Sequence, residues 1–213
     1  MRETGPTAAI AGINTGLQVE GVWTGRRQLF VRFAGEAETA TLYSAEMLRK
    51  FLERATTRGG IHSVALTGRD PLSCSEFLAA AFSEWKPALP MMLDTDGQRP
   101  EQLEQLGGVF SMVQVKMDFN CPPAACDHAV ETLAAAARIG CEHAAVLAPR
   151  DGISDGQLLR FVEQAHGASP GTKIVIHPPY GTDKSQMERH YAALLEKAAA
   201  IHGDVRLVVR IGS

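Results

Sequence analysis

Polar and ionisable side chains recur wherever an apolar run of this 213-residue chain ends. Glu36 follows the run 28–33, Thr67 and Asp70 follow 61–66, and Asp94, Thr95 and Asp96 close 90–93. Asp118, Asn120 and Cys121 close 109–119; Arg150 and Asp151 follow 143–147; His177 and Tyr180 follow 173–176. Acids brought together in one pocket push one another's pKa apart, the arrangement general acid–base chemistry needs. The candidates for such chemistry are Asp70, Asp96, Asp118 and His177, with Lys116 beside them. The plainer role is also open to each of them, since Asp and Asn after a strand commonly cap a turn or the next helix. Taken together the set carries more weight, because acids from three successive strand ends converge on one pocket. Cys74, Cys121 and Cys126 fall at the same ends and, with His177, make the candidate thiolate–imidazole metal site. Their spacing is not that of a zinc knuckle, Cys141 belongs to the opposite end, and small cysteines are common core residues, so no metal is expected.

The elements that position these residues alternate. Compact apolar runs at 28–33, 61–66, 90–93, within 109–119, at 143–147, 173–176 and 205–211 read as strands. Between them lie helical patterns at 44–57, 75–85, 100–106, 126–139, 154–166 and 183–202. Ser44 and Ser154 are placed to N-cap two of these helices, and Gly59-Gly60 stops the first. Residues 16–27 read as a polar loop leading into the first strand. Strands alternating with helices argue for a parallel sheet whose strand C-termini share one face, where ligands bind. Six or seven βα units fall short of a closed eight-unit barrel, so the expectation is an α/β fold of partial, open (βα)6 type over a single domain, 1–213. A doubly wound sheet is the alternative, without a GxGxxG loop after the first strand to support it. Arg32 inside the first strand is out of place there and is expected to be paired or to face a cavity.

Composition narrows the function. Apolar residues make up 45% and charged residues 21% of the chain, ordinary for a globular domain. A net charge of −3 without a basic run excludes a nucleic-acid footprint. No stretch approaches the roughly 18 apolar residues of a membrane span, and four cysteines without paired spacing point to a reduced, cytoplasmic setting.

Beginning with the segment 16–45, the chain resembles the organic-radical-activating enzymes of the radical-SAM kind, 7-carboxy-7-deazaguanine synthase among them. GLQVEG (16–21), Gly25-Arg26 and FVRFAG (30–35) follow that family's S-I-Q-G-E-G, G-R and F-V-R-x-A-G-C frame. The three cluster cysteines of its CxxxCxxC loop fall here on Glu36, Ala40 and Tyr43, and the following D-T on Ser44 and Ala45. A cubane iron–sulfur cluster needs thiolates, so the resemblance implies a radical-SAM-type barrel that has lost the means for radical chemistry. TGRDPL (67–72) is similar to T-G-G-E-P-L, which holds the methionyl amine of S-adenosylmethionine; LDTDG (93–97) is similar to L-E-T-N-G, and DFNCP (118–122) to D-x-K-C-P with Asn120 for lysine. The chain's end, VRLVVRIGS, is similar to V-R-L-x-x-Q-L-H-K with Arg210, Gly212 and Ser213 changed.

The resemblance implies a ligand site made of Gln18, Glu20, Gly21 and Arg32 on the substrate side, and of Thr67, Gly68, Asp70, Thr95, Asp96 and Asp118 near the cofactor. Arg32 suits a carboxylate, its planar fork binding both oxygens, unless it pairs internally with Glu20 or Asp70. Val19 replaces a family glycine, and Ala45 removes the hydroxyl on which the family's magnesium relies. The expectation is a cluster-free pseudoenzyme binding a purine- or pterin-like or carboxylate-bearing small molecule, or a partner protein. No cofactor is expected; S-adenosylmethionine alone is left open. A homodimer is one form of partner, for which the alanine-rich helices offer close-packing faces. The alternative is an enzyme on the same barrel using the acid–base set or a relocated metal or iron–sulfur site.

Overall fold

Short apolar strands bury both faces only by stacking side by side beneath helices, and the chain does this in one nine-stranded sheet. A computed structural model describes residues 5–57, 59–117, 119, 123–149, 153–179 and 181–209. The strands are β1 Thr7–Leu17, β2 Arg27–Phe33, β3 Thr41–Ser44, β4 Ser63–Gly68, β5 Met91–Thr95, β6 Met112–Met117, β7 Glu142–Leu147, β8 Lys173–Ile176 and β9 Val205–Leu207. The helices are α1 Ala45–Thr56, α2 Ser75–Phe82, α3 Pro100–Gln105, α4 Pro123–Arg138, α5 Asp155–Ala168, α6 Lys184–Gln186 and α7 Ala192–Ile201, with a π turn, Met187–Tyr191, joining the last two. The sheet order is β3-β1-β2-β4-β5-β6-β7-β8-β9. From β2 to β9 every pairing is parallel, while β1 runs antiparallel to both its neighbours. The sheet is open, as the partial-barrel reading expects.

Two strands were not anticipated. β1 has Ala and Gly at almost half its positions, and only Ala8 and Ile10 are buried. Its extended state is imposed by pairing, Leu17 opposite Arg27 at one end and Ile10 opposite Phe33 at the other, rather than by propensity. β3 replaces what reads as loop, its Tyr43 opposite Ala8 of β1. The predicted cap of α1 is present: the Ser44 hydroxyl accepts from the Met47 amide at 3.3 Å.

Strand parity divides the core. Val31, Leu66, Leu93, Val113, Leu147 and Ile176 face Leu48, Phe77, Leu133 and Phe161 of the helices, all buried. Each such side chain contributes roughly 1.5–3 kcal/mol on burial. The opposite, concave face carries a much smaller cluster of Ala65, Met92, Met112 and Ala144. Alanines at two of these four positions leave room for backbone, and the loop 18–26 fills it. This loop closes on itself through Gln18 N–H to Arg26 O and Gly25 N–H to Gln18 O, both 2.8 Å. Its Val22 and Trp23 pack on the concave cluster, and the Trp23 indole meets His62 edge-on at 4.9 Å between ring centres.

Candidate functional site

The parity that points Met112 into the concavity also points Gln114 and Lys116 there, one and two steps further along β6. Asp94 lies opposite Gln114 in the β5–β6 register. Neither Gln114 nor Asp94 can leave polar atoms unpaired at such depth without a cost of about 1–3 kcal/mol per group. The Gln114 amide donates to Asp94 Oδ1 at 2.8 Å, while its carbonyl accepts the Val22 N–H at 3.3 Å. Lys116 Nζ bridges Asp94 Oδ2 at 3.1 Å and Glu20 Oε1, on the loop, at 2.6 Å. One residue after Glu20, the Gly21 N–H donates to His177 Nε2 at 2.7 Å. An N–H donor at that distance needs a lone pair on Nε2, so the imidazole is neutral with its proton on Nδ1. The loop is thereby tied across the concave face to β5, β6 and the end of β8.

The cluster sets two carboxylates against one ammonium. Burial pushes the Asp94 carboxyl above the ordinary carboxylate range, the Glu20 charge adds to this, and Lys116 and the Thr67 hydroxyl oppose it. Burial alone would lower the Lys116 ammonium, but the Asp94 and Glu20 charges outweigh it and hold it above the usual lysine value.

Asp70 forms a second station. Its Oδ1 accepts from Thr95 Oγ1 at 2.8 Å and from the Leu72 amide at 3.4 Å. Arg99 Nε lies 3.2 Å from Oδ2, close enough for charge pairing but without hydrogen-bond alignment. Burial raises the Asp70 carboxyl, helped by Asp96 and opposed by Thr95, Leu72 and Arg99. A raised folded-state pKa means the folded protein holds this proton more tightly than the unfolded chain. Its contribution to stability is complete below the ordinary value of 3.8 and is lost as pH climbs through the raised value. Asp70→Asn lacks this titration, so its stability relative to the parent should rise between about pH 4 and pH 7, as read from thermal midpoints at both ends.

The sequence-derived residues divide accordingly. Glu20, Gly21, Thr67 and His177 meet around Asp94 and Lys116, and Gln18 is buried beside them, its amide 3.8 Å from Met92 Sδ. Gly68, Asp70 and Thr95 form the adjoining station, where a Cβ on Gly68 would lie 2.3 Å from the Phe33 carbonyl. Asp96 acts on Asp70 through its charge alone and hydrogen-bonds to neither group. It is exposed and caps a turn, accepting from the Gln98 amide at 3.1 Å, because it lies past the last paired residue of β5. Arg32 is not in the pocket and pairs with neither Glu20 nor Asp70; its side chain is 53% exposed and pairs with Glu38. A hydrogen bond from the Gly35 amide holds the Glu38 carboxyl below its ordinary value, with Arg32 contributing. Asp118, Asn120, Cys121, Arg150, Asp151 and Tyr180 lie outside the described residues. Gln114 is the member that strand-end reading passed over, while Asp94, one of the strand-end acids, was not carried into the candidate site; the register between β5 and β6 is what singles them out.

The three positions that align with the cluster cysteines of the resemblance, Glu36, Ala40 and Tyr43, lie apart. Glu36 is exposed and ion-paired with Arg69 at 2.8 Å. Ala40 is exposed, and Tyr43 sits inside β3 and lines a groove against α1. These side chains offer no thiolate and do not converge, so they do not fit an iron–sulfur cluster. Among the described residues no group of three or more His, Cys, Asp or Glu could hold a metal ion. Cys74 and Cys126 are half-buried on separate helices, and Cys141 is buried at the far end, its thiol pushed up to about 11 by burial. Among the described residues no helix is long and apolar enough to cross a membrane.

Comparison with known proteins agrees with the motif resemblance. The chain is 25% identical over 188 residues to 7-carboxy-7-deazaguanine synthase of Methanothermobacter thermautotrophicus, covering 82% of this chain and 71% of that one. In fold it matches QueE from Escherichia coli with a TM-score of 0.55 at 14% identity, over 97% of this chain and 95% of the other. It matches Streptococcus suis SuiB, solved with S-adenosylmethionine, with a TM-score of 0.59 at 12% identity, over 81% of this chain and 43% of that one. No family model matches the chain.

Proposed function

We propose that this chain is a cluster-free relative of the radical-SAM barrels that binds a purine- or pterin-like heterocycle over the Glu20–Lys116–Asp94 cluster. The observation that carries this reading is the contrast between two ends of one molecule. At 36–43 the ligand positions are turned into surface ion pairs and an edge strand. On the concave face the loop, β5 and β6 converge on a charge cluster in which Asp94 and Gln114 are buried and Lys116 and Glu20 are partly exposed. Two carboxylates against one ammonium repel a ligand carboxylate, so the carboxylate-bearing alternative is the weaker one. An amino-pyrimidinone edge brings two parallel N–H donors and suits a carboxylate bidentately.

Isothermal titration with guanine, 7-deazaguanine and pterin tests this. Binding in the micromolar range is expected, and Glu20→Gln should weaken it about tenfold, the cost of one charge-assisted hydrogen bond. No binding by any of the three, with a tight S-adenosylmethionine complex instead, would overturn the ligand reading. Anaerobic treatment with iron and sulfide should leave both at background. A stoichiometric cluster lost on Cys74→Ala or Cys126→Ala would show that the ligands have moved. An acid–base enzyme on the same barrel is the second reading, favoured by the raised Asp94 carboxyl beside Lys116. It predicts turnover abolished by Asp94→Asn with binding retained.

A further inference from the structure

The base of the sheet, at the far end from the charge cluster, holds a second polar arrangement. There the turn from α5 into β8 is clamped by imidazoles on both sides. His143, the second residue of β7, is buried; its Nδ1 donates to the Cys141 carbonyl at 2.9 Å and its Nε2 accepts from the Ser169 hydroxyl at 2.7 Å. The Thr172 amide in turn donates to the Ser169 carbonyl at 3.1 Å. On the other side His202, 1% exposed, reaches the Thr172 carbonyl through Nε2. A carbonyl can only accept, so His202 carries its proton on Nε2, and the neutral ring leaves a lone pair on Nδ1. That nitrogen lies 3.1 Å from Nδ1 of His166, with the two rings crossed at 80°. Thr172 is itself fully buried, and its hydroxyl oxygen has no partner among the described residues.

We propose that His166 and His202 form a binding site for a divalent d-block cation of the zinc kind, with water completing the coordination shell. Imidazole nitrogens bind zinc at about 2.0–2.1 Å, which sets two of them about 3.3 Å apart around a tetrahedral ion. The pair is closer than this by only about 0.2 Å, and His166, exposed on the last turn of α5, can rotate by that much. No proton has to leave the protein. In the metal-free pair His166 donates through Nδ1; on binding, that proton is exchanged through solvent to its Nε2, and both rings ligate as neutral imidazoles. The Thr172 carbonyl supplies what a metal-bound histidine needs behind its ring, a fixed acceptor for the other N–H. The His143–Ser169 clamp holds that carbonyl in place. The local field favours a cation as well. His166 lies in the last turn of α5 and His202 caps the C-terminus of α7, so the negative ends of two helix dipoles meet at the pair. Two protein ligands are half the number of a structural zinc site, so the dissociation constant is expected on the order of 10 μM rather than nanomolar. An ion held there ties the end of α5 to the end of α7, a cross-link remote from the heterocycle site.

Zinc alone, titrated into the full chain, tests this by calorimetry and by long-range proton–nitrogen spectra of the histidine rings. His166→Gln should leave the circular dichroism unchanged, because the side chain is already in water, and should weaken zinc binding about tenfold or more. His190→Gln, on the π turn and 52% exposed, should leave binding as it is in the parent. Before zinc is added, the spectra should show His202 as the Nε2–H tautomer. At saturation the Nδ1 resonances of His166 and His202 should move together while those of His143 stay in place. Absence of binding at about 100 μM zinc overturns the proposal. So does saturation that leaves both Nδ1 resonances where they were, or binding equal in the parent and in His166→Gln, since the pair would then be a hydrogen bond alone.

Discussion

Lys116→Met lowers stability by about 2–3 kcal/mol, and most of that loss returns when Asp94→Asn is added. The single change removes the cation and leaves both its carboxylates, Glu20 and Asp94, of which Asp94 is only 5% exposed. Stranding a buried carboxylate typically costs about 3–5 kcal/mol. The lower figure applies here because the Lys116 side chain is 37% exposed, so water already screens part of the pair. The loss is not only a matter of packing, because methionine keeps most of the lysine stem. Without Lys116 the Asp94 carboxyl rises further, so the single variant should recover stability on acidification as that carboxyl takes up its proton. In the double variant an asparagine carbonyl still accepts from Gln114, and the part of the acid dependence that Asp94 carries disappears. For a domain of this size the thermal midpoint should fall by about 5–10 °C in the single variant. Equal losses in Lys116→Met and in the double variant would show that the charge cluster does not support the loop.

Much of the scaffold was legible because its causes are local. The six crossovers follow from apolar runs and helix periods, and the α1 start follows from Ser44. β1 and β3 escaped because nothing local demands them; β1 extends because β2 offers it a ladder. The site was half legible for a related reason. Motif frames point to Glu20, Gly21 and Thr67. They do not say that Gly21 meets a histidine 156 positions away, nor that Asp94 rather than Asp96 faces inward. That distinction depends on where β5 stops pairing, after Thr95. Arg32 illustrates the limit of reading charge in a strand. It is paired, as a strand arginine should be, but at the rim and with a carboxylate of the loop after β2. The loop after β2 thus supplies acids that occupy Arg32 and Arg69 at the rim.

Gly21→Ala detaches the loop from the concave face and costs about 2–4 kcal/mol. Gly21 has φ near +80°, and an added Cβ would lie 1.7 Å from Gln114 Oε1. A long side chain on the surface would swing aside. Gln114 has no such freedom, being fully buried and tied at both ends, to Asp94 and to the Val22 amide. The conformational penalty of the left-handed region for a residue with a Cβ is about 1–2 kcal/mol, and displaced hydrogen bonds to Gln114 and His177 supply the rest. The loop carries its own reporter. Trp23 packs on Ala65, Met92, Met112 and Ala144, whereas Trp85, the other tryptophan, stacks on Phe82 at 6.1 Å. In a Trp85→Phe background, Gly21→Ala should shift the emission to the red while far-ultraviolet dichroism keeps the α/β signature. Combining it with Gln114→Ala removes the overlap, so the two losses should fall short of additive. Full additivity with unshifted emission would mean that the loop does not depend on this contact. Because the same backbone carries Glu20 to Lys116, a detached loop should also abolish heterocycle binding, which ties the plug to the proposed ligand site through a single glycine.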